Sequence, residues 1–409
     1  KLDKAKPHFL HYKDCVACIH NNKHINVFVT KHSQLPRVVL KSVGFLIIIE
    51  CDSREMILPK VSLPPETELL IQVIPKVELH IHIEGTLEPE LVFELAKRNN
   101  VTLPFASAEE LRQAYHFQDL QSFLDLYYQA CAVLITKQDF YDMTMAYMRR
   151  SYQDNLAHAE IFVDPQSHTS RGVPLDVVLD GMTEALRDAE KELGVTHGII
   201  VSILRHLDAE SAMELIDSTL EYIKNNPDSP IVGIGLDSSE LGHPPSKFID
   251  AFAKARSHGL KVCAHAGEEG PASYIVDALD LLKVDRVDHG VRCLEDEELV
   301  ERLVKNQTPL TVCPHSNVKL CVFESMKDHN IRLLLQRGLC ASIHSDDPSY
   351  FSGYIGDNYK SVVYALDLER DEIVQLARNA INASFLDDGR KAELHARLER
   401  STNNLQASQ

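Results

Sequence analysis

The chain has 409 residues, 44% apolar and 25% charged, the balance of a soluble globular protein with a large core to bury. Its formal net charge of −18 argues against nucleic acid or an anionic membrane as partner, because a broad negative field repels phosphate. No apolar stretch reaches membrane-spanning length: the run from Val43 to Ile49 is far too short and leads into Glu50 and Asp52.

No secretory signal peptide is evident, and nine cysteines scattered without a repeated spacing read as reduced thiols of an intracellular protein. The expected location is the cytoplasm, with the nucleus as a second. Cys15-Val16-Ala17-Cys18, followed by His20 and His24, lacks zinc-finger patterning and is read as chance.

Residues 1–65 differ from the rest in being basic, rich in His and Lys, and without a sustained period. They read as an appended, poorly ordered segment with one hydrophobic strand around Phe45 to Ile49, closed by Pro59 and the pair Pro64-Pro65. Residues 66–409 read as the functional unit. Its first strand is expected at Val77 to Ile83, followed by helices at Pro89 to Asn99, Leu120 to Leu134 and Gln138 to Gln153. Seven further strands are expected, at Ala157 to Val163, Gly198 to Leu204, Ile231 to Leu236, Lys261 to His265, Arg286 to His289, Leu310 to Cys313 and Leu339 to His344. Helical patterns such as Leu175 to Leu193 and Ala209 to Lys224 lie between them. Eight strands in βα alternation predict a (β/α)8 barrel.

Polar residues sit where these strands end. The first ends in His82, the fourth near Ser239-Glu240, the fifth at His265, the sixth at His289, the seventh at Ser316-Asn317 and the eighth at Asp346-Asp347. An open doubly wound sheet would gather such residues at one crevice, whereas a barrel presents them around one face.

His80 and His82, two apart on a strand, leave the same face and can meet one metal ion. His265 precedes Ala-Gly, which permits a tight turn, with Glu268 inside that turn. Taken singly, each has an ordinary explanation: a paired surface histidine, a first-turn carboxylate at Glu268 or Glu269, an Asx turn at Asp346-Asp347 before Pro348, a satisfied core histidine at His289. Four such motifs in barrel register form the part list of a catalytic metal site with a spare acid and a spare histidine.

From Glu66 onward the chain resembles the adenosine/adenine deaminase family, zinc-dependent barrels of the amidohydrolase type, and more narrowly its adenine deaminases of fungi and bacteria. The resemblance rests on Pro75-Lys76-Val77-Glu78-Leu79-His80, Glu84-Gly85-Thr86-Leu87-Glu88-Pro89, Asp164-Pro165-Gln166-Ser167-His168-Thr169, Leu236-Asp237-Ser238-Ser239-Glu240, Cys313-Pro314 with Ser316-Asn317, and Ser345-Asp346-Asp347-Pro348. It implies that His80, His82, His265 and Asp346 bind one Zn²⁺. It also implies Glu268 as proton donor, His289 as the histidine assisting the attacking water, and Asp347 as a purine contact. The implied reaction is hydrolysis of adenine to hypoxanthine and ammonia, in purine salvage; adenosine deamination and non-catalytic purine binding are the alternatives. Adenosine deaminases tend to carry Asp where this chain has Glu84, so Glu84 is expected to contact the free base. Two residues depart from the family pattern: His344 stands where Asn is usual, and His315 where an apolar residue is usual.

Overall fold

The computed structural model describes residues 63–407 and, before them, five short strands: Phe9–Tyr12, Cys15–Cys18, Asn26–Thr30, Arg37–Ser42 and Phe45–Glu50. The first two pair as an antiparallel hairpin and the other three as an antiparallel sheet, so the one strand expected near Phe45 has company. The side chains of Cys15, Cys18, His20 and His24 lie outside the described residues. The chain divides into two compact units, Lys1–Ser62 and Leu63–Gln409. Pro64 and Pro65, read from sequence as the close of the first segment, instead cap and open a helix, α1 (Pro65–Val73). Proline suits that first turn because its missing N–H has no partner there anyway.

The second unit is a barrel of eight parallel strands in sequential order: β1 (Lys76–Glu78), β2 (Leu156–Val163), β3 (Thr196–Leu204), β4 (Ile231–Asp237), β5 (Lys261–Ala266), β6 (Arg286–His289), β7 (Pro309–Val312) and β8 (Cys340–Ile343). Every residue of β2 is buried, as expected of a parallel strand covered on both faces. Between β1 and β2 lie α2 (Pro89–Asn99), α3 (Ala108–Gln113), α4 (Leu120–Cys131) and α5 (Lys137–Tyr152). Among the described residues, no helix is long and apolar enough to cross a membrane.

The first strand is shorter than its apolar run predicts. After Glu78 the backbone leaves the ladder: the Leu79 N–H donates to His344 Nδ1 at 3.1 Å, and the Leu79 carbonyl accepts from Arg286 Nη2 at 3.1 Å. It then returns as single bridges, Ile81 with Asp346 and His82 with Phe162. The bridge to Asp346 joins the first strand to the last and closes the barrel.

Candidate metal and catalytic site

The barrel's C-terminal ends bring the predicted ligands together. His80 Nε2 and His82 Nε2 lie 3.0 and 3.1 Å from His265 Nε2, and Asp346 Oδ1 is 3.5 Å from both His80 Nε2 and His82 Nε2. A tetrahedral shell with arms of about 2.1 Å has edges of about 3.4 Å, so this spacing fits one ion at the centre. The donor set, three imidazoles and a carboxylate, is one that zinc accepts.

Groups behind the ligands fix which nitrogen faces inward. His80 Nδ1 donates to the Thr311 carbonyl (3.1 Å) and lies 3.0 Å from Thr311 Oγ1, which itself donates to Asp288 Oδ1 at 2.8 Å. His82 Nδ1 faces Asp237 Oδ2 at 3.6 Å, and His265 Nδ1 faces Asp288 Oδ2 at 3.9 Å. Carboxylates behind ligating histidines set tautomer and orientation. Asp164 lies close enough to His82 and Asp237 for these three to resemble a second metal cluster. Yet an imidazole binding through Nε2 keeps its proton on Nδ1, which makes Asp237 an orienting acceptor.

Glu268 and His289 stand beside this cluster. His289 Nε2 is 3.4 Å from Glu268 Oε2 and 3.7 Å from Asp346 Oδ2; Asn317 Nδ2 donates to Glu268 Oε1 (3.4 Å) and lies 3.3 Å from His289 Nδ1. His289 and Asp346 both have φ of 64°, a strained left-handed conformation that turns their side chains at the strand ends. Burial, then the Asp346 and Glu240 carboxylates, push the Glu268 carboxyl well above its ordinary range. Burial and the Asp346 carboxylate do the same to Asp347, whose Oδ1 is buried without a partner. For Asp346, burial opposes ionisation, but the surrounding imidazoles, His80 first and then His289 and His82, together outweigh it and hold the carboxyl well below the usual range. The surroundings thus favour the ionised form of Asp346 and the protonated forms of Glu268 and Asp347.

A partly open cavity adjoins these groups and is lined by His82, His265, Glu268, His289, Asp346 and Asp347. Its apolar wall is largely α4, through Leu120, Phe123, Leu124, Tyr127 and Tyr128. Glu84 is not on that wall. Its carboxylate accepts from His168 Nε2 (2.8 Å), the Asp164 N–H (3.1 Å) and Tyr127 OH (3.5 Å), and burial raises it to about 7. Asp164 and Asp237 line the cavity instead, with burial and Glu84 lifting Asp164 to about 8.

Asp164 and Asp237 end β2 and β4, the same signal that marked the ligands, but no neighbouring motif gave them a role. The α4 aromatics carry no signal that separates a cavity wall from ordinary core. His344 sits beneath the cluster, its Nδ1 accepting from Leu79 and its Nε2 meeting Ser342 Oγ at 2.8 Å. His315 Nε2 meets Ser361 Oγ at 2.7 Å, and His315 does not line the cavity. Glu269 is not a first-turn helix residue; its Oε1 accepts the Leu120 N–H at the start of α4.

Comparison with known proteins gives a consistent picture. The adenosine deaminase family model matches residues 75–401. An adenine deaminase of Hahella chejuensis is 54% identical over 331 residues, 81% of this chain and 98% of the relative. The crystal structure of an adenine deaminase from Arthrobacter aurescens superposes with a TM-score of 0.79 at 50% identity, covering 81% of this chain and 99% of that one. An amidohydrolase from Burkholderia ambifaria, solved with bound Zn, has a TM-score of 0.77 at 25% identity, covering 85% of this chain and 97% of that one.

Proposed function

The chain belongs to the adenosine deaminase family and is a deaminase of the amidohydrolase barrel type, and we propose that its reaction is adenine + H2O → hypoxanthine + NH3, in purine salvage. The observation that carries this reading is Glu268, buried beside four convergent metal-binding side chains in surroundings that favour its protonated form. A binding protein would have no use for such a donor. His80, His82, His265 and Asp346 would hold one Zn²⁺, which supplies Lewis-acid activation of the attacking water.

The chain's own residues do the rest. Glu268 delivers its proton to ring N1 as C6 is attacked, so negative charge does not build on the purine. His289 Nε2, between Glu268 Oε2 and Asp346 Oδ2, orients the water and takes up its proton. Asp347, kept protonated, donates to N7. Tyr127, Phe123 and Leu120 exclude solvent from the ring. The free base is favoured over the nucleoside by the names of the most similar relatives and by the acids on the cavity wall. The cysteine usage supports an intracellular location, the cytoplasm first and the nucleus second.

Zinc quantification together with ammonia release from adenine, adenosine and AMP tests the reading. Stoichiometric zinc with adenine as preferred substrate is the expected result; preference for adenosine would replace the substrate, and metal without turnover would replace the enzyme.

A further inference from the structure

We propose that Glu240 is a positioning residue for catalysis, acting on the substrate not by contact but through the loop that carries Glu268. The proposal rests on Glu268 being the proton donor.

Glu240 follows β4, past Ser238, whose φ of 72° swings the chain inward beneath the segment after β5. There its carboxylate, 1% exposed, takes four successive backbone amides. Oε1 accepts from Gly267 at 2.7 Å, and Oε2 accepts from Glu268 at 3.1 Å, Glu269 at 2.9 Å and Gly270 at 2.7 Å. Consecutive N–H groups converging on an anion form a nest, and a carboxylate has acceptor sites enough for all four. Gln does not: it replaces one oxygen with a donor that would face an N–H.

The loop's glycines are those such a nest requires. Gly267 has φ +70°, and a Cβ there would meet Ile275 at 2.5 Å; a Cβ on Gly270 would lie 2.5 Å from Glu240 Oε1. Glu240 does not line the cavity, whereas Glu268 does. Other bonds hold the loop to the fold: the Arg292 N–H to the Gly267 carbonyl at 3.0 Å, Arg292 Nη1 to the Glu269 carbonyl, and Glu269 Oε1 to the Leu120 N–H. Losing the nest should therefore displace the donor without unfolding the barrel, and misplacement of about 1 Å costs on the order of 10²-fold in rate.

The test compares wild type, Glu240→Gln, Glu240→Asp, Glu268→Gln and the double variant Glu240→Gln/Glu268→Gln, all as zinc-loaded full chains. For Glu240→Gln we expect unchanged zinc content and adenine KM, kcat lower by about 10²-fold, and faster amide exchange confined to residues 267–270. In the Glu268→Gln background the same change should cost no more than about threefold, because the donor is already gone. Glu240→Asp, which keeps the charge but reaches less far, should fall between, and it serves if the Gln variant does not fold. Near-normal kcat in both Glu240 variants, a full additional loss in the Glu268→Gln background, or loss of zinc would overturn the proposal. Near-normal turnover of Glu268→Gln alone would remove the donor reading, seen independently of Glu240, and the proposal would fall with it.

Discussion

Asp346 and His82 are bonded through their backbones as well as placed to share a metal ion: the His82 N–H donates to the Asp346 carbonyl at 3.1 Å, while their side chains converge to 3.5 Å. With the Asp346 N–H donating to the His80 carbonyl at 3.0 Å, the seam that closes the barrel is also the seam that gathers three of the four candidate ligands. Barrel closure and metal geometry are therefore one structural event.

It follows that Asp346→Asn should fold and lose its metal, because Asn tolerates the left-handed backbone and keeps the seam's amide and carbonyl. Asp346→Ala should lose the metal and, in addition, roughly 1–2 kcal/mol of stability for placing Ala at φ 64°. Metal analysis and thermal melting of the two variants measure both effects. Equal metal content in Asp346→Asn and wild type would remove Asp346 from the shell.

Glu268→Gln should retain fold and metal while kcat falls by at least ~10²–10⁴-fold, the usual worth of general-acid catalysis. Steady-state kinetics on protein of verified metal content measure this.

The pH dependence has a defined sign. Glu268 is active as the protonated acid and its folded pKa is raised, first by burial and then by Asp346 and Glu240, so activity is present below that value and lost as pH rises through it. The same shift means that the native state binds more protons than the unfolded chain above the ordinary carboxyl range. The stability contributed by Glu268 therefore declines with rising pH across that window. A pH–rate profile should show an alkaline fall in kcat that is missing from the residual activity of Glu268→Gln.

Substrate choice should respond more to Asp164 than to Glu84. Glu84 is occupied by His168, Tyr127 and the Asp164 backbone, whereas Asp164 lines the cavity with an unpartnered buried oxygen. A site built around a polar contact discriminates strongly against a ligand that cannot make it. Asp164→Ala should lower the ratio of kcat/KM for adenine over adenosine by at least about tenfold, with a smaller change in Glu84→Asp. The reverse order would return specificity to Glu84.

Deleting Lys1–Ser62 should leave a folded, metal-binding, active barrel. Every proposed ligand and catalytic group lies at residue 80 or beyond, within the unit that begins at Leu63. Melting temperature, metal content and adenine turnover of residues 63–409 measure it; failure to fold would make the first segment part of the core.

The barrel was legible in the sequence, because eight short apolar runs ending in polar residues alternate with helical patterns. His80 and His82 were legible too: residues two apart on a strand share a face. The family resemblance then implied roles for Glu268, His289 and Asp347, and the fold brings all three to the cluster. The partnerships between residues far apart in the chain could be read only from the folded molecule. Leu79 leaves the first strand because His344, on the last, takes its N–H. Glu84 turns away from the cavity because His168 and Asp164 claim its oxygens. Glu240 finds four amides some thirty residues further on, a contact with no period and no local propensity behind it. Hydrogen bonds of this kind are fixed by how packed elements meet, and that meeting is settled only when the barrel closes.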